Sequence, residues 1–432
     1  MAYCTKTDLR NQVIYSIYVR NYSEEGTFLE VEKDLDRIKG LGVDIIWFLP
    51  IYPIGQEKRK GILGSPYAIA DYRKVNPELG TMDDFKHLVE GIRTRGMRVM
   101  LDIVYNHTSP DSWLAKNHPE YFYKTPEGEM GNRVGDWGDI VDLDYGNKEL
   151  WDYQIDTLKM WAGIVDGFRC DVAPLVSLAF WLKAREEVAR VNPECIWLSE
   201  SVEPEFIVDM RAKGMTNLSD SEIFQAFDMC YDYDIFKYLR QYLNGEGTLG
   251  RYVEAVNMQE YIYPANYVKM RYLENHDQDR AKEIIPKESA LRNWTAFLYF
   301  QKGATLLYAG QENQNETRPD LFNKDVINLD GSRDISDMLR QHYQIKKLPV
   351  VAKSSYRLSA DEGLGAAIGE HKEIQGKGRL LGIFSFEGKC GQVEAGIQDG
   401  TYTNMVNGKE IRIEDGKIDL KMCPVIIKEN GE

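Results

Sequence analysis

Short apolar runs alternate with longer amphipathic segments along most of the chain. Runs rich in Val, Ile, Phe and Tyr predict eight strands, at 12–19, 44–49, 98–104, 167–172, 195–199, 223–229, 268–273 and 305–308. Helical periodicity predicts helices between them, among them 28–41, 82–95, 148–162, 178–191 and 287–300. Eight strand-helix units over about 300 residues favour an α/β fold of the closed (β/α)8 TIM barrel type over an open doubly wound sheet.

Two parts of the chain depart from this alternation. Residues 107–141 are rich in Pro, Gly, Asn, Tyr and Trp and read as an excursion after the third strand. Near the end, short alternating stretches are separated by the turn pairs Asn407-Gly408 and Asp415-Gly416, which predict antiparallel hairpins. We therefore predict a barrel formed by 1–106 and 142–350, an inserted domain B at 107–141, and a C-terminal antiparallel β-sandwich domain at 351–432.

The charge balance and the apolar runs limit the possible partners. With 53 Lys+Arg and 68 Asp+Glu the net charge is −15, which argues against nucleic acid as a partner. No apolar run approaches the roughly 20 residues of a membrane span, so no membrane partner is expected. The start shows no export signal and the six cysteines form no CxxC pair, which together predict a cytoplasmic location. The oligomeric state stays open.

Four of the predicted strands end in polar clusters. The third runs from Asp102 into Asn106-His107, the fourth ends in Arg169-Cys170-Asp171, the fifth reaches Glu200, and the seventh leads to His276-Asp277. Taken singly, each has a structural explanation such as a buried ion pair, a core histidine or a solvated acidic face. Barrel enzymes carry their active site at the carboxyl ends of the strands, so all four clusters are expected to meet on one rim.

Converging carboxylates indicate a particular chemistry. The sequence has no phosphate loop, no serine nucleophile elbow and no paired catalytic cysteine and histidine. Glycoside cleavage needs one carboxylic acid that protonates the departing oxygen and one ionised carboxylate opposite it. The clusters therefore favour a glycoside-cleaving enzyme.

These four clusters, in this order and on these strands, resemble the motifs of the α-amylase family of retaining glycoside hydrolases and transglycosylases (glycoside hydrolase family 13). The resemblance spans essentially the whole chain, including the excursion and the C-terminal part. It implies that Asp171 is the nucleophile, Glu200 the general acid/base and Asp277 the third carboxylate. It also implies substrate-binding roles for four further residues, namely Tyr67, His107, Arg169 and His276. Asp102 resembles a structural partner of Arg169.

Two departures from the family pattern bear on metal and substrate. Residues Val172-Ala173-Pro174-Leu175 stand where many endo-acting members carry Lys-His, and that histidine also contributes to their calcium site. The first loop, residues 21–26, lacks the Asp/Asn-rich calcium loop of another branch. The resemblance therefore implies no cofactor and no catalytic metal, and both departures argue against a structural calcium ion.

The resulting hypothesis is hydrolysis of α-1,4-glucosidic bonds in malto-oligosaccharides or related α-glucans by double displacement. Cleavage of α-1,6 bonds, glycosyl transfer to another sugar, and a non-catalytic carbohydrate-binding role stay as alternatives. Aromatic residues in the excursion fit either sugar stacking or a small core, and the sequence does not choose between these roles for Trp113, Tyr121, Tyr123 and Trp137.

Overall fold

A computed structural model describes residues 4–135 and 137–429, and within them eight parallel strands close into a barrel. Around the barrel the order is β1-β2-β3-β6-β7-β8-β9-β10, and β10 returns to β1. The strands up to the end of the barrel are Val13–Ile17 (β1), Ile45–Phe48 (β2), Arg98–Ile103 (β3), His107–Thr108 (β4), Val141–Asp142 (β5), Gly167–Cys170 (β6), Ile196–Ser199 (β7), Met229–Tyr231 (β8), Lys269–Arg271 (β9) and Ala304–Tyr308 (β10).

Helices connect the barrel strands and cover their outer faces. Several begin at side chains that cap the first turn; Thr81 and Asp84 form a reciprocal capping box at the start of one of them. The helices are Val19–Tyr22 (α1), Phe28–Lys33 (α2), Leu35–Gly40 (α3), Met82–Thr94 (α4), Trp113–Asn117 (α5), Lys148–Ala162 (α6), Leu178–Ala189 (α7), Pro204–Ala212 (α8), Asp220–Ile223 (α9), Tyr233–Leu243 (α10), Leu249–Ile262 (α11), Ala281–Ile284 (α12), Glu288–Phe300 (α13), Ser336–Lys346 (α14) and Pro349–Ala352 (α15).

The predicted barrel is confirmed, with two local corrections. The sequence predicts the sixth strand at 223–229, but the strand is β8, Met229–Tyr231. The first part of the predicted segment is helical instead, because Ser219 and Glu222 form a capping box that starts α9. The helix expected at 28–41 is two helices that meet at Asp34. There the Asp34 carboxylate accepts a hydrogen bond from Arg37 Nε at 2.9 Å, and the backbone leaves the helical conformation.

The excursion after β3 is attached to the barrel by a short strand pair. In the antiparallel pair of β4 and β5, His107 lies opposite Asp142. This pairing fixes the backbone of His107 at the barrel mouth, directly beyond the end of β3. The domain boundaries at 107, 142 and 351 stay predictions.

The C-terminal part is the predicted antiparallel sandwich, with two four-stranded sheets in the orders β11-β12-β13-β18 and β14-β17-β16-β15. A separate apolar cluster that includes Ile383 and Ile418 fills the space between the sheets. The first sheet also covers the barrel: the rings of Phe386 and Trp294 stack with centroids 3.6 Å apart. The strands are Ser354–Asp361 (β11), Ala366–Glu373 (β12), Arg379–Ser385 (β13), Gly391–Glu394 (β14), Gly400–Thr403 (β15), Glu410–Glu414 (β16), Lys417–Leu420 (β17) and Val425–Glu429 (β18).

None of the helices in the described residues is both long enough and apolar enough to cross a bilayer.

Candidate active site

A cavity of about 370 Å³ opens at the carboxyl ends of the barrel strands. Five of the seven predicted site residues line it, namely Tyr67, His107, Asp171, Glu200 and Asp277. The other two, Arg169 and His276, are buried beneath the cavity floor and contact residues that line it. The structure therefore brings all seven residues together, although they come from loops or strands far apart in the chain.

Arg169 is the centre of this arrangement. Its side chain is fully buried, and its Nη1 donates to Asp102 Oδ1 at 2.8 Å and to Asp171 Oδ1 at 2.9 Å. Its Nη2 lies 2.9 Å from Glu200 Oε2, an ion pair without the angular geometry of a hydrogen bond. One guanidinium thus contacts both candidate catalytic carboxylates, while Asp102 supplies a balancing negative charge as the sequence led us to expect.

The two candidate catalytic carboxyl groups differ in acidity. Burial raises the pKa of Asp171 to about 6, and the charge of Arg169 opposes a larger rise. Burial raises the pKa of Glu200 further, to about 8; the charge of Arg169 opposes this rise as well, but the negative charges of Asp171 and Asp277 add to it. At neutral pH this order leaves Asp171 mostly ionised and Glu200 mostly protonated.

Backbone conformation at Val172 also fixes Glu200. Val172 adopts a left-handed conformation, with φ 35° and ψ 42°, which is strained for a β-branched residue. In this conformation its amide donates a hydrogen bond to Glu200 Oε2 at 2.8 Å. With Oε2 held by this amide and by Arg169, Oε1 is the oxygen left for a proton.

Tyr67 and Asp277 on the cavity wall and the buried His276 behind them form a second group. The Tyr67 hydroxyl lies 2.7 Å from His276 Nε2 and donates to Asp102 Oδ2 at 3.1 Å. Burial opposes ionisation of Asp277, but His276, whose Nε2 lies 3.0 Å away, acts together with Arg169 and Arg318 to hold the pKa of Asp277 below its ordinary value. Asp277 is therefore a fixed anion, and 40% of its side chain is exposed toward the cavity.

His107 approaches the nucleophile candidate from the excursion side. Burial lowers the pKa of His107 to about 4, so its ring is neutral at pH 7. Asn106 Nδ2 lies 3.2 Å from its Nδ1, and an amide donor there leaves the ring proton on Nε2, which faces Asp171 Oδ2 at 3.9 Å. The ring can thus present an N–H donor into the cavity beside Asp171.

Of the four aromatic residues of the excursion left open by the sequence, Trp137 alone lines the cavity. Its ring lies 5.5 Å from that of His107. The other three pack within the excursion or against the barrel: Trp113 stacks on Tyr153, Tyr121 stacks on His118, and Tyr123 lies under the Arg133 guanidinium.

Sequence reasoning missed several residues that line the cavity. They follow different barrel strands and include Lys60, Leu321 and Phe322 in loops, Phe206 in α8 and Tyr233 at the start of α10. No local motif marks them, because their shared position depends on how the loops cross the barrel mouth. Within residues 4–135 and 137–429, no group of three or more His, Cys, Asp or Glu side chains is arranged to hold a metal ion. The expectations on cofactors stay predictions.

The family comparison agrees with this geometry. Residues 14–132 match the model for the α-amylase catalytic domain, and residues 357–427 match the bacterial α-amylase C-terminal domain. The crystal structure of an α-amylase from Lactobacillus plantarum superposes with a TM-score of 0.95 at 47% identity, covering 98% of this chain and 100% of that one. The chain belongs to the α-amylase family. The resemblance drawn from the strand-end motifs is confirmed.

Other α-amylase family members differ in activity and size. The maltogenic α-amylase AmyB from Thermotoga neapolitana superposes with a TM-score of 0.88 at 33% identity, covering 98% of this chain and all of that one. α-Amylase MalA of Haloarcula japonica is 30% identical over 72% of this chain and 45% of its own length. An α-1,4-glucan:maltose-1-phosphate maltosyltransferase of Methylacidiphilum infernorum is 30% identical over 47% of this chain and 34% of its length. The chain thus spans less than half of these two curated relatives.

Proposed function

We propose that the protein is a retaining glycoside hydrolase that cleaves α-1,4-glucosidic bonds of malto-oligosaccharides or related α-glucans. The observation that carries this proposal is the pair of carboxyl groups on Arg169. Asp171 and Glu200 each lie 2.9 Å from a different terminal nitrogen of the same guanidinium, yet the pKa of Glu200 is about 8 and that of Asp171 about 6. The shared guanidinium keeps an ionised carboxylate and a protonated carboxyl group beside each other, the pair that a retaining mechanism uses as nucleophile and proton donor.

In the first step an oxygen of ionised Asp171 attacks C1 of the sugar and forms a glycosyl ester. The bond from C1 to the bridging oxygen breaks, and the protonated Glu200 gives its proton to that departing oxygen. In the second step Glu200, now ionised, takes a proton from water while the water oxygen attacks C1. The ester bond breaks and both carboxyl groups regain their starting states.

The remaining site residues have supporting roles in this proposal. The exposed ring face of Tyr67 provides a stacking surface for the sugar at the cleavage point. The neutral His107 and the anionic Asp277 provide a donor and an acceptor for its hydroxyl groups. Arg169 limits the pKa rise of Asp171 and so keeps a nucleophile available near neutral pH.

Transfer of the glycosyl unit to a second sugar is the other candidate function. It is favoured by the 30% identity to the maltosyltransferase of Methylacidiphilum infernorum, and it would use the same ester on Asp171. Incubation with maltotriose, followed by chromatography of the products, separates the two candidates. Hydrolysis gives only shorter sugars, whereas transfer also gives products longer than the substrate.

Replacement of the nucleophile tests the proposal directly. Asp171→Asn keeps the size of the side chain but removes the attacking charge, so turnover of maltotriose is expected to fall by about 1,000-fold or more. Asp209→Asn, on the exposed face of α8, is the matched control and is expected to keep full activity. Turnover by Asp171→Asn within tenfold of wild type would refute the assignment, and so would an inactive wild-type protein.

We also propose that the protein works in the cytoplasm. All six cysteines lie in the described residues, none is paired, and Cys170, Cys195 and Cys230 are buried. Reduced core thiols fit a reducing compartment. Fractionation of the native host, with the protein found outside the cell, would contradict this location.

A further inference from the structure

A loop after β2 closes one side of the candidate active site. We call residues 57–64 the strap. The Leu63 amide donates to Phe322 O at 3.0 Å, and the Ile62 amide donates to Asn323 Oδ1 at 3.0 Å. Lys60 of the strap and Phe322 of the loop after β10 both line the cavity. The strap therefore joins the loops that follow β2 and β10.

Two buried residues of α1, the short helix after β1, hold this junction in place. Arg20 donates to the carbonyl oxygens of Gly64 at 3.0 Å and Leu63 at 3.2 Å. Asn21 Nδ2 donates to Asp320 O at 2.8 Å, on the opposing loop. Arg20 and Asn21 are 4% and 1% exposed, so both sides of the junction are anchored to a rigid part of the barrel rather than to mobile surface groups.

The strap also reaches the excursion. Lys60 Nζ lies 2.9 Å from the buried carboxylate Asp139 Oδ1, which lines the same cavity. At Gly61 the backbone has φ +64°, and a Cβ there would lie 2.6 Å from Phe322 Cβ. A larger residue at 61 would thus push the strap away from Phe322. The loop after β10, the strap and the excursion form one continuous wall.

The position of this wall relative to Glu200 shows which end of the substrate meets it. In the closed ring of eight strands β1 is four places from β7 in either direction, so the two strands are diametrically opposite. Glu200 follows β7, whereas the strap and the loop after β10 lie over β1 and its neighbours, and the excursion, which follows β3, joins them from one side. The acid must face the bridging oxygen, so the leaving chain lies on the β7 side, where the cavity-lining Glu203 is exposed to solvent. The non-reducing end therefore points at the wall.

We propose that this wall makes the site specific for chain ends: the enzyme removes short units from the non-reducing end of an α-glucan and does not cleave within a chain. This inference rests on the proposed glycosidase function and adds the direction and the position of the cut. An internal segment of a long chain would have to continue past the strap, whose hydrogen bonds to Phe322 and Asn323 and ion pair with Asp139 join the loops on that side of the cavity.

A pair of substrates tests the inference. Both are maltoheptaose with a para-nitrophenyl group at the reducing end, and one also carries an ethylidene cap on its non-reducing glucose; the fragments released from each are separated and quantified by liquid chromatography, with no second enzyme present. We expect the wild-type protein to cleave the capped substrate about 100-fold more slowly than the uncapped one. Equal cleavage of the two would overturn the inference while leaving the hydrolase proposal intact. Cleavage of neither would overturn both.

Opening the strap provides the second measurement. Gly61→Ala is expected to raise the ratio of capped to uncapped cleavage by about fivefold or more, because the added methyl group displaces the strap from Phe322. Gly128→Ala is the matched control: Gly128 also has a positive φ, +89°, but no atom lies within 4 Å of the added Cβ. An unchanged ratio in Gly61→Ala, with circular dichroism showing a folded protein, would refute the role of the strap.

Discussion

The separation of two pKa values gives a quantitative pH dependence for the proposed reaction. Glycosyl-enzyme formation needs ionised Asp171, with a pKa of about 6, and protonated Glu200, with a pKa of about 8. At pH 7 about nine-tenths of each group is in the required form, so roughly four-fifths of the molecules are competent. At pH 5 about one-tenth of Asp171 is ionised, and at pH 9 about one-tenth of Glu200 is protonated. We therefore expect kcat/KM to follow a bell centred near pH 7.

The Glu200→Gln variant tests whether Glu200 causes the decline in activity on the alkaline side of the pH profile. It removes the proton donor, so the decline above pH 8 should disappear, and kcat on maltotriose should fall by about 100- to 10,000-fold. A substrate with a fluoride leaving group needs less protonation, so the Glu200→Gln variant should cleave it at a rate much closer to that of the wild-type protein. Asp209→Asn changes an exposed acid of α8 outside the cavity and should leave the pH profile unchanged. A Glu200→Gln protein that still loses activity above pH 8, or a wild-type profile flat from pH 5 to pH 9, would refute the reasoning.

Three further substitutions test the supports of the site. Asp102→Asn removes a negative charge that pairs with the buried Arg169, so it should lower the free energy of unfolding in urea by about 3 kcal/mol or more. Asp36→Asn removes a charge from an exposed ion pair and should not shift the midpoint of unfolding. Tyr67→Ala should raise KM about tenfold while Tyr67→Phe keeps it within about threefold, since the ring supplies the stacking surface. Trp137→Ala should raise KM in the same kinetic assay and Trp113→Ala should not, because Trp137 alone of the two lines the cavity. Equal KM values for the two Tyr67 variants, or for the two tryptophan variants, would contradict these roles.

Much of the site was predictable from where the strands end. The apolar run before Asp171 and the one before Glu200 each stop at a charged residue, and parallel strands in a barrel bring their carboxyl ends to one face. The helix expected at 28–41 shows where such reasoning stops. Its periodicity continues through Asp34, but contacts of that carboxylate with Arg37 and Tyr22 interrupt the helix.

Other features depend on contacts between segments that are distant in the chain. Trp137 and Trp113 look alike in the sequence, but Trp137 alone reaches the cavity. The strap contacts residues near 322; neither segment carries a motif, and the two meet because β2 and β10 flank β1 in the ring.

The sequence by itself determined the order of strands and helices, the four clusters at the strand ends and the net charge, because these depend on residue type and local spacing. The tertiary structure alone decided that Arg169 contacts Asp102, Asp171 and Glu200 together, and that Glu200 is less acidic than Asp171. It also decided that the strap and the loop after β10 meet beside the cavity. The physical reason is that desolvation and charge pairing depend on the distances between side chains. Side chains from separate strands and loops reach these distances only when the barrel closes.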